Sequence, residues 1–360
     1  MTHARRLRDR GLRLILSAVP VMLLASCQTN SSPSAYNLPQ SAGNPLVIPV
    51  GFPKPVIPAD NPITFDKVAL GRQLFYDARL SKDNSVSCSS CHSQASGFSD
   101  VGHAVSTGVG GRTGTRNAPS LVNLAYDTTF FWDGRAKTLE QQAVGPILNP
   151  IEMGNDSNTV VKTLSNNAYY LSLFSKAFGD SKITMTRVAQ AIASFERTLV
   201  SGNSPYDQYM RGDVSAMSQS AIRGMQLFMD TNATDCSGCH SGVNLSDGGY
   251  YSTGFQPAYY SGDQGLAALT GRQTDQGKFK TPSLRNVQLS APYAVNGGTA
   301  TLLQMVQHYN AGGVSGSNAD SRIRPLNLSE GQMNDLVAFL QSLTDQDFIR
   351  NPNYGKPTTF

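Results

Sequence analysis

Two short stretches of the chain have the residue types and the spacing needed to bind haem covalently. They are Cys88–His92, with the sequence CSSCH, and Cys236–His240, with the sequence CSGCH. Two thiols three positions apart can add to the two vinyl groups of one porphyrin, and the histidine that follows can ligate its iron. The pair of motifs therefore predicts two covalently bound haem c groups, with His92 and His240 as iron ligands.

The cysteine count supports this interpretation. The chain has five cysteines, and the two motifs use four of them, namely Cys88, Cys91, Cys236 and Cys239. One copy alone could be a redox dithiol, and one all-thiolate zinc site would use the same four thiols. Neither alternative explains the two trailing histidines. A disulfide framework is not expected in a chain long enough to build ordinary cores.

The first residues predict export. Residues 1–26 begin with a basic segment, and the apolar run over residues 14–25 is too short for a membrane span. The run ends in LASC, which resembles a bacterial lipobox, so we expect a lipid anchor on Cys27. A plain cleaved signal with an incidental cysteine is the alternative. By resemblance to bacterial lipoproteins, Gln28 favours the periplasmic face of the outer membrane. Residues 27–63 are predicted to form a tether.

The charge of the mature chain gives no support to a nucleic-acid partner. Residues 1–26 carry five of the 29 basic residues and one of the 25 acidic residues, so the remainder is close to neutral. Nothing in this composition predicts nucleic-acid binding.

An internal repeat surrounds the two motifs. The segment GRQLF at residues 71–75 precedes the first motif, and GMQLF at residues 224–228 precedes the second. Farther on, PSLVN at residues 119–123 matches PSLRN at residues 282–286, and the register continues without gaps for twenty residues. The repeat predicts two tandem haem domains.

The expected fold is mainly α-helical, with long loops around two cytochrome c-like units and little strand. The domains are expected at residues 64–205 and 206–350, with a boundary near residues 201–217, where turn-forming residues cluster. Apolar periodicity predicts a closing helix over residues 185–200 of the first domain and 329–343 of the second, the latter with a Ser329/Gln332 capping box.

Taken together, these motifs and several further segments resemble the bacterial di-haem cytochrome c peroxidases, including their MauG-like branch. The resemblance covers residues 60–350 and rests on RNAP at 116–119, FWDGRA at 131–136, NPIEM at 149–153, SFERT at 194–198 and TPSLRN at 281–286. It implies an N-terminal peroxidatic haem, a C-terminal electron-transfer haem, and a calcium ion between them.

The resemblance also assigns catalytic side chains. Heterolysis of peroxide needs an open iron site and a group that moves a proton from the inner oxygen to the outer one. The family places a glutamate and a glutamine over the open face, and these correspond to Glu152 and Gln142. Without the surrounding motif, Glu152 would be interpreted as a solvated loop charge.

At one position of the first domain the chain departs from the family pattern. Many relatives carry a histidine in a Ser-x-Gly-His-Gly loop that caps the peroxidatic iron until the other haem is reduced. The matching loop here, residues 106–110, has Val109 instead. Valine cannot ligate iron, so we expect an open first haem that needs no reductive activation. His103 is the only nearby substitute, and an exposed loop histidine is the favoured interpretation of it.

A second departure concerns the far side of the second haem. The usual peroxidases have a methionine ligand there, which raises the potential. The matching position is Tyr309, and the MauG-like branch has a tyrosine ligand at this place. Met305, one helical turn earlier, and His308 are the second and third candidates. Packing of Tyr309 on the porphyrin without ligation is the alternative.

Trp132, the only tryptophan, lies by resemblance between the two haems and would relay electrons. A core aromatic residue is the alternative, and it is compatible with the relay. For calcium, the resemblance points to the side chain of Asn117 and to the carbonyl oxygens of Ser290 and Pro292, which suit a hard cation.

The predicted function is reduction of hydrogen peroxide to water with electrons from a small cytochrome c or a cupredoxin. Peroxide-dependent oxidation of a protein or small molecule, as in the MauG-like branch, is the first alternative, and Val109 and Tyr309 favour it. A non-enzymatic di-haem electron-transfer protein is the second alternative. The resemblance is also compatible with a homodimer.

Overall fold

The computed structural model describes residues 45–255, 262–314 and 318–358. The predicted signal peptide, Cys27 and the first part of the predicted tether lie outside these residues. Within them the chain is mainly helical, which confirms the predicted fold class. In the same ranges, we find no helix with the length and apolar character that a membrane span requires.

Long loops join the α-helices and two very short strands. The helices of the first half are α1 (Phe65–Phe75), α2 (Cys88–Cys91), α3 (Leu139–Leu148), α4 (Ser157–Ser165), α5 (Ala168–Phe178) and α6 (Met185–Glu196). Those of the second half are α7 (Pro205–Met210), α8 (Gln219–Met229), α9 (Ala267–Thr270), α10 (Leu302–Asn310), α11 (Glu330–Gln341) and α12 (Gln346–Arg350). Strands β1 (Tyr250–Tyr251) and β2 (Phe279–Lys280) pair antiparallel, with Tyr250 opposite Lys280.

The tandem repeat of the sequence is also present in the backbone. Asn123 and Asn286 both have a positive φ, 59° and 58°, and each is followed by one turn of 3₁₀ helix. Thr138 and Thr301 are the N-caps of α3 and α10, and both side chains accept a backbone hydrogen bond. The residues of both pairs are 163 positions apart, so the two halves have the same local structure over this stretch.

The two predicted closing helices are present as α6 and α11. Helix α6 ends at Glu196, a few residues before the predicted end. Helix α11 begins after Ser329, whose hydroxyl accepts from the backbone of Gln332 at 3.3 Å, and the capping box is complete.

In each half, two helices meet closely at a glycine. Helix α1 packs on α6, and α8 packs on α11. A Cβ atom on Gly71 would lie 1.8 Å from the carbonyl oxygen of Ala191, and one on Gly224 would lie 1.9 Å from that of Asp335. The glycine of each repeated GxQLF segment is therefore the point at which two helix backbones touch.

Replacing Gly224 with alanine is expected to destabilise the protein by about 1–3 kcal/mol or more, because the added methyl group overlaps the backbone of α11. Gly331 is the matched control: it is exposed on α11, and a Cβ there would meet only Ser329 Oγ, at 4.0 Å, so its alanine variant should change stability by less than about 1 kcal/mol. Denaturant unfolding of both haem-loaded variants measures the difference. Equal stabilities would contradict the close helix contact.

The C-terminal segment returns to the first half of the chain. Phe348 of α12 packs edge-on against Phe98, and both belong to a buried cluster with Phe75. Arg72 of α1 donates a hydrogen bond at 2.6 Å to the carbonyl oxygen of Gly355. The end of the second half therefore covers part of the first.

Largely buried ion pairs join the two halves. Lys280 Nζ lies 2.7 Å from Asp127 Oδ2, and each side chain is about nine-tenths buried. Arg116 contacts Asp133 of its own half and Asp263 of the other, both at 2.6 Å. Removing one partner of such a pair would leave a poorly solvated charge, so these contacts favour one relative placement of the halves.

The predicted boundary segment, residues 201–217, is a packed structure that contains α7. Ser204 caps α7 and Pro205 occupies its first position. The Asp345 carboxylate accepts three hydrogen bonds from this segment, donated by Ser201 Oγ, Gly202 N and Asn203 N. The turn-forming residues that indicated a domain boundary act here as caps and anchors, and the boundary itself stays a prediction.

The described part of the predicted tether, residues 45–63, also lies on the folded body. Asn61 is buried, and its amide donates to Glu140 Oε1 at 2.7 Å. The Phe52 ring lies 4.7 Å from the guanidinium carbon of Arg285. This stretch therefore packs against the rest of the protein in this structure.

Candidate active site

The first attachment motif presents a histidine that is ready to bind a metal. His92 follows α2, and its amide donates to the Cys88 carbonyl at 3.0 Å. Its Nδ1 lies 2.9 Å from the carbonyl oxygen of Phe98. A carbonyl oxygen only accepts, so Nδ1 carries the proton and the Nε2 lone pair is free to ligate iron. Burial lowers the pKa of His92, which favours this neutral form.

The second motif repeats this arrangement. The His240 amide donates to the Cys236 carbonyl at 3.0 Å, and His240 Nδ1 lies 3.0 Å from the carbonyl oxygen of Leu245. Leu245 and its counterpart Phe98 both have a positive φ, 48° and 58°, which is costly for residues with a branched or aromatic side chain. Both turns therefore hold a strained backbone that presents a carbonyl oxygen to the histidine.

The four motif thiols are free and do not converge. None of them forms a disulfide. Within residues 45–255, 262–314 and 318–358, no three His, Cys, Asp or Glu side chains gather at a point that could hold a metal ion, which excludes the single zinc site. Burial raises the pKa of Cys88, and it raises that of Cys239 to about 11. Protonated, part-buried thiols beside a free imidazole suit covalent attachment to a porphyrin.

A cavity of about 270 Å³ adjoins the second motif, and its walls fit a haem. Cys236, Cys239 and His240 form part of the wall. Most of the remaining wall is apolar, and includes Phe228, Leu284, Leu302, Val306, Leu336 and Leu340. A large flat ligand with an apolar body needs such a lining with few polar groups.

The three candidate ligands of the second haem all lie on helix α10, but only two of them line this cavity. Met305 and Tyr309, one turn apart, both line it. His308 does not, because its Nε2 lies 2.8 Å from the Thr253 carbonyl oxygen and its ring stacks on Phe255 at 3.7 Å. Burial raises the pKa of Tyr309 to about 12. The structure thus brings the first two candidates to the cavity, and the choice of Tyr309 over Met305 stays a prediction.

Glu152 lies in a part-buried position near the first motif. Asn149, the C-cap residue that follows α3, donates from Nδ2 to Glu152 Oε1 at 2.6 Å. Burial raises the pKa of Glu152, while Asn149 and the nearby charge of Arg135 lower it. Burial raises the pKa of Cys88, and the charges of Glu196 and, to a smaller extent, Glu152 raise it further, so both carboxyls act electrostatically on the first motif. Sequence reasoning did not identify Asn149 as the residue that orients the Glu152 carboxyl.

Gln142 has a buried side-chain oxygen without a hydrogen-bond partner among the described residues. The side chain lines a small cavity of about 70 Å³ together with Trp132. Buried polar atoms normally have a partner, so an unpaired amide oxygen in a cavity wall indicates a place for a polar ligand or water. Neither Glu152 nor a residue of the first motif lines this cavity, so the structure does not bring Gln142 and Glu152 together in one pocket.

The loop that contains Val109 packs against the segment that contains Glu152. Val109 N donates to the Glu152 carbonyl at 2.8 Å, and its side chain is 7% exposed within the first core. A Cβ on Gly108 would lie 2.4 Å from the same carbonyl. His103 is at the surface, paired with Asp100. Neither Val109 nor His103 offers a ligand to the first centre in this structure.

Trp132 lies in the wall shared by the two cavities. Its Nε1 donates to the Asn117 carbonyl at 2.8 Å, and its own carbonyl accepts from Lys280 N at 2.8 Å. One residue from each half therefore holds it in place. Its place between the two haems stays a prediction.

The residues expected to bind calcium line the same cavity as Trp132. Asn117, Ser290 and Pro292 all line the large cavity. The Asn117 amide donates its two hydrogens to the carbonyls of His103 and Ala104, at 3.1 and 3.2 Å. Its Oδ1 is thus the side-chain atom left to meet a cation.

Glu196 is a buried carboxyl that sequence reasoning did not single out. It is 3% exposed at the end of α6, and its Oε2 has no partner among the described residues. Burial raises its pKa to about 8. The SFERT segment locates Glu196 in the sequence, but only the packing of α6 shows that it is unpaired.

We expect Glu196 to make stability depend on pH. The folded protein keeps this carboxyl protonated up to about pH 8, whereas the unfolded chain releases the proton near pH 4.5. Stability should therefore fall as pH rises through this window, by at most about 5 kcal/mol from 1.4 kcal/mol per pKa unit. Glu196→Gln should flatten the dependence, measured by denaturant unfolding from pH 5 to 9. An unchanged slope would contradict the buried acid.

Comparison with known proteins identifies the family. Residues 65–215 match the di-haem cytochrome c peroxidase model, and residues 221–344 match the cytochrome c model. The chain is 38% identical over 288 residues to the methylamine utilization protein MauG of Methylophilus methylotrophus, covering 79% of this chain and 84% of that protein. It is 36% identical over 303 residues to the cytochrome c551 peroxidase of Nitrosomonas europaea, covering 82% and 85%.

A solved structure agrees with these matches. A MauG-like protein associated with microbial copper homeostasis superposes with a TM-score of 0.82 at 34% sequence identity, over 86% of this chain and 98% of that one. The chain therefore belongs to the di-haem cytochrome c peroxidase and MauG family, and the resemblance inferred from the motifs is confirmed.

Proposed function

We propose that this protein is a di-haem c-type peroxidase that reduces hydrogen peroxide to water with electrons from a small cytochrome c or a cupredoxin. The observation that carries the proposal is the difference between two otherwise matched centres. Both have a cysteine pair and a histidine with Nδ1 held by a carbonyl oxygen. Near the first, burial raises the pKa of the Glu152 carboxyl, whereas near the second the hydrogen bond from Arg322 lowers the pKa of Asp320.

The two haem-binding centres have different roles. Cys88, Cys91 and His92 hold the first haem, and Cys236, Cys239 and His240 hold the second. When bound, the first haem supplies the redox chemistry with peroxide and the second stores and passes electrons. Trp132 relays electrons from the C-terminal to the N-terminal haem, and its two anchored sides limit its movement.

Glu152 takes a proton from the inner peroxide oxygen and returns it to the outer one. A raised pKa brings this carboxyl closer to the working pH, where one group can serve as base and then as acid. Asn149 orients the carboxyl through its 2.6 Å hydrogen bond. Gln142 offers an amide to the oxygen that leaves as water. Val109 keeps the site free of a protein ligand, so no reductive activation is required.

The remaining parts of the proposal concern the ion and the location of the protein. Asn117, Ser290 and Pro292 bind calcium, and Asn117 connects this ion to Trp132 through its carbonyl. The protein is exported to the periplasm and anchored to the outer membrane by a lipid on Cys27.

A second candidate function is peroxide-dependent oxidation of a protein or small molecule. Tyr309, in the wall of the large cavity beside the second motif, favours this function, because a phenolate is a hard anionic donor that stabilises oxidised iron. A haem with this ligand would hold oxidising charge rather than only supply electrons.

Steady-state kinetics test the proposal. The haem-loaded protein is mixed with hydrogen peroxide and, in turn, a reduced cytochrome c, a reduced cupredoxin and an organic reductant, after pyridine haemochrome assay has counted the covalent haems. We expect two haems per chain and turnover with a protein donor, without prior reduction. Turnover only with an organic or unrelated protein substrate would favour the second candidate. No turnover with any donor would refute both.

A further inference from the structure

Tyr251 lies where the second attachment motif meets solvent. Its ring lines the cavity that adjoins the motif. Its hydroxyl donates at 2.7 Å to Oδ2 of Asp247, which is exposed. The amide of Asp247 in turn donates to the carbonyl of Cys239 at 2.8 Å. The phenol of Tyr251 thus connects the wall of the large cavity beside the second motif to an exposed carboxylate.

Arg322 completes this cluster. Its guanidinium carbon lies 4.4 Å from the centre of the Tyr251 ring. Its Nη1 donates to the Gly238 carbonyl at 2.9 Å, and its Nε donates to Asp320 at 2.7 Å. A phenol held between a carboxylate and a guanidinium, both anchored to the attachment motif, is in a defined position beside the second haem site.

These surroundings match the requirements of a phenol that is oxidised with loss of its proton. The hydrogen bond to Asp247 raises the pKa of Tyr251, so the phenol keeps its proton until an electron leaves. The positive charge of Arg322 disfavours a charged radical on the ring. Asp247 supplies an acceptor at hydrogen-bond distance. Trp132 is the only tryptophan in the sequence, and it is held by Asn117 and Lys280, so no other indole can act at this outer edge.

We propose that Tyr251 is an electron relay between the second haem and a one-electron reductant at the protein surface, with Asp247 as its proton acceptor. The inference rests on the proposed function, because peroxide provides the oxidising equivalent. One electron leaves the phenol for the peroxide-oxidised second centre, the O–H bond breaks, and the proton moves to the Asp247 carboxylate. An electron from the reductant and the returning proton restore the phenol.

The neighbouring Tyr250 provides a matched control. It belongs to the same strand, but its hydroxyl pairs with Thr129 Oγ1 at 2.6 Å and its ring does not line the cavity. The relay therefore predicts different behaviour for two adjacent tyrosines.

The test is paramagnetic resonance of the haem-loaded protein, frozen shortly after addition of hydrogen peroxide without a donor. We expect a tyrosyl radical that narrows when the protein carries ring-deuterated tyrosine. Tyr251→Phe should abolish it, and Tyr250→Phe should retain it. Asp247→Asn should slow its formation, because the proton acceptor is lost. Spin trapping followed by peptide mapping should place the adduct on Tyr251.

The absorption spectra of the haems separate the two ways in which this proposal can fail. If peroxide changes these spectra in every variant but Tyr251→Phe keeps the radical, or no tyrosyl radical forms, the relay is wrong and the peroxidase proposal stands. If peroxide leaves the spectra of the unchanged protein as they were, both are wrong.

Discussion

Replacing Glu152 with glutamine is expected to lower turnover with hydrogen peroxide by about a hundredfold or more, while both haems stay attached. The amide keeps the size of the side chain and can still accept the hydrogen bond from Asn149. It cannot take up or release a proton, so the acid–base contribution to the rate is lost. Initial rates at saturating donor measure the loss, and pyridine haemochrome assay measures the haem content.

Glu330→Gln is the matched control, because it removes an exposed carboxylate from the first turn of α11. Its turnover should equal that of the unchanged protein. The pH profile adds a second readout: burial raises the pKa of Glu152, so an ionisation above the ordinary carboxylate range should be present in the unchanged protein and absent from Glu152→Gln. Full activity of Glu152→Gln with normal haem content would exclude this residue from the mechanism.

Replacing Tyr309 with phenylalanine is expected to change the absorption and paramagnetic spectra of the second haem and to leave those of the first unchanged. The ring keeps its packing in α10, but the hydroxyl group of this cavity-lining side chain is removed. Loss of an anionic oxygen ligand should also raise the reduction potential of this haem. Redox titration followed by absorption spectroscopy checks both expectations.

Met305→Leu is the comparison for this experiment. It conserves volume and lies one turn away on the same wall of the cavity. We expect it to leave the second-haem spectrum unchanged. A changed spectrum for Met305→Leu together with an unchanged one for Tyr309→Phe would transfer the ligand role to Met305.

The elements that depend on neighbours in the chain were predictable from the sequence. Covalent attachment of haem uses residues a few positions apart, so the residue spacing within Cys88–His92 and Cys236–His240 is enough to predict it. The same holds for the capping box at Ser329 and for the apolar stripes of α6 and α11. The duplicated segments, read together, predicted two units of one fold.

Segments rich in turn-forming residues were harder to interpret, because the same residues serve as linkers, caps and anchors. Residues 201–217 were predicted to contain the domain boundary, and the same residues also form α7 and bind Asp345, a residue more than a hundred positions later. Likewise, Asn61 is buried against Glu140 although its segment resembles a tether. The partners of these residues become visible only when the chain is folded.

The attachment motifs Cys88–His92 and Cys236–His240 were therefore determined by the sequence alone, since their chemistry is local. Only the tertiary structure decided how the two centres differ. In the folded chain His308 contacts the Thr253 carbonyl oxygen, whereas Tyr309 lines the cavity. Such arrangements bring together side chains from distant parts of the chain, and their burial and hydrogen bonds depend on how the helices and loops pack.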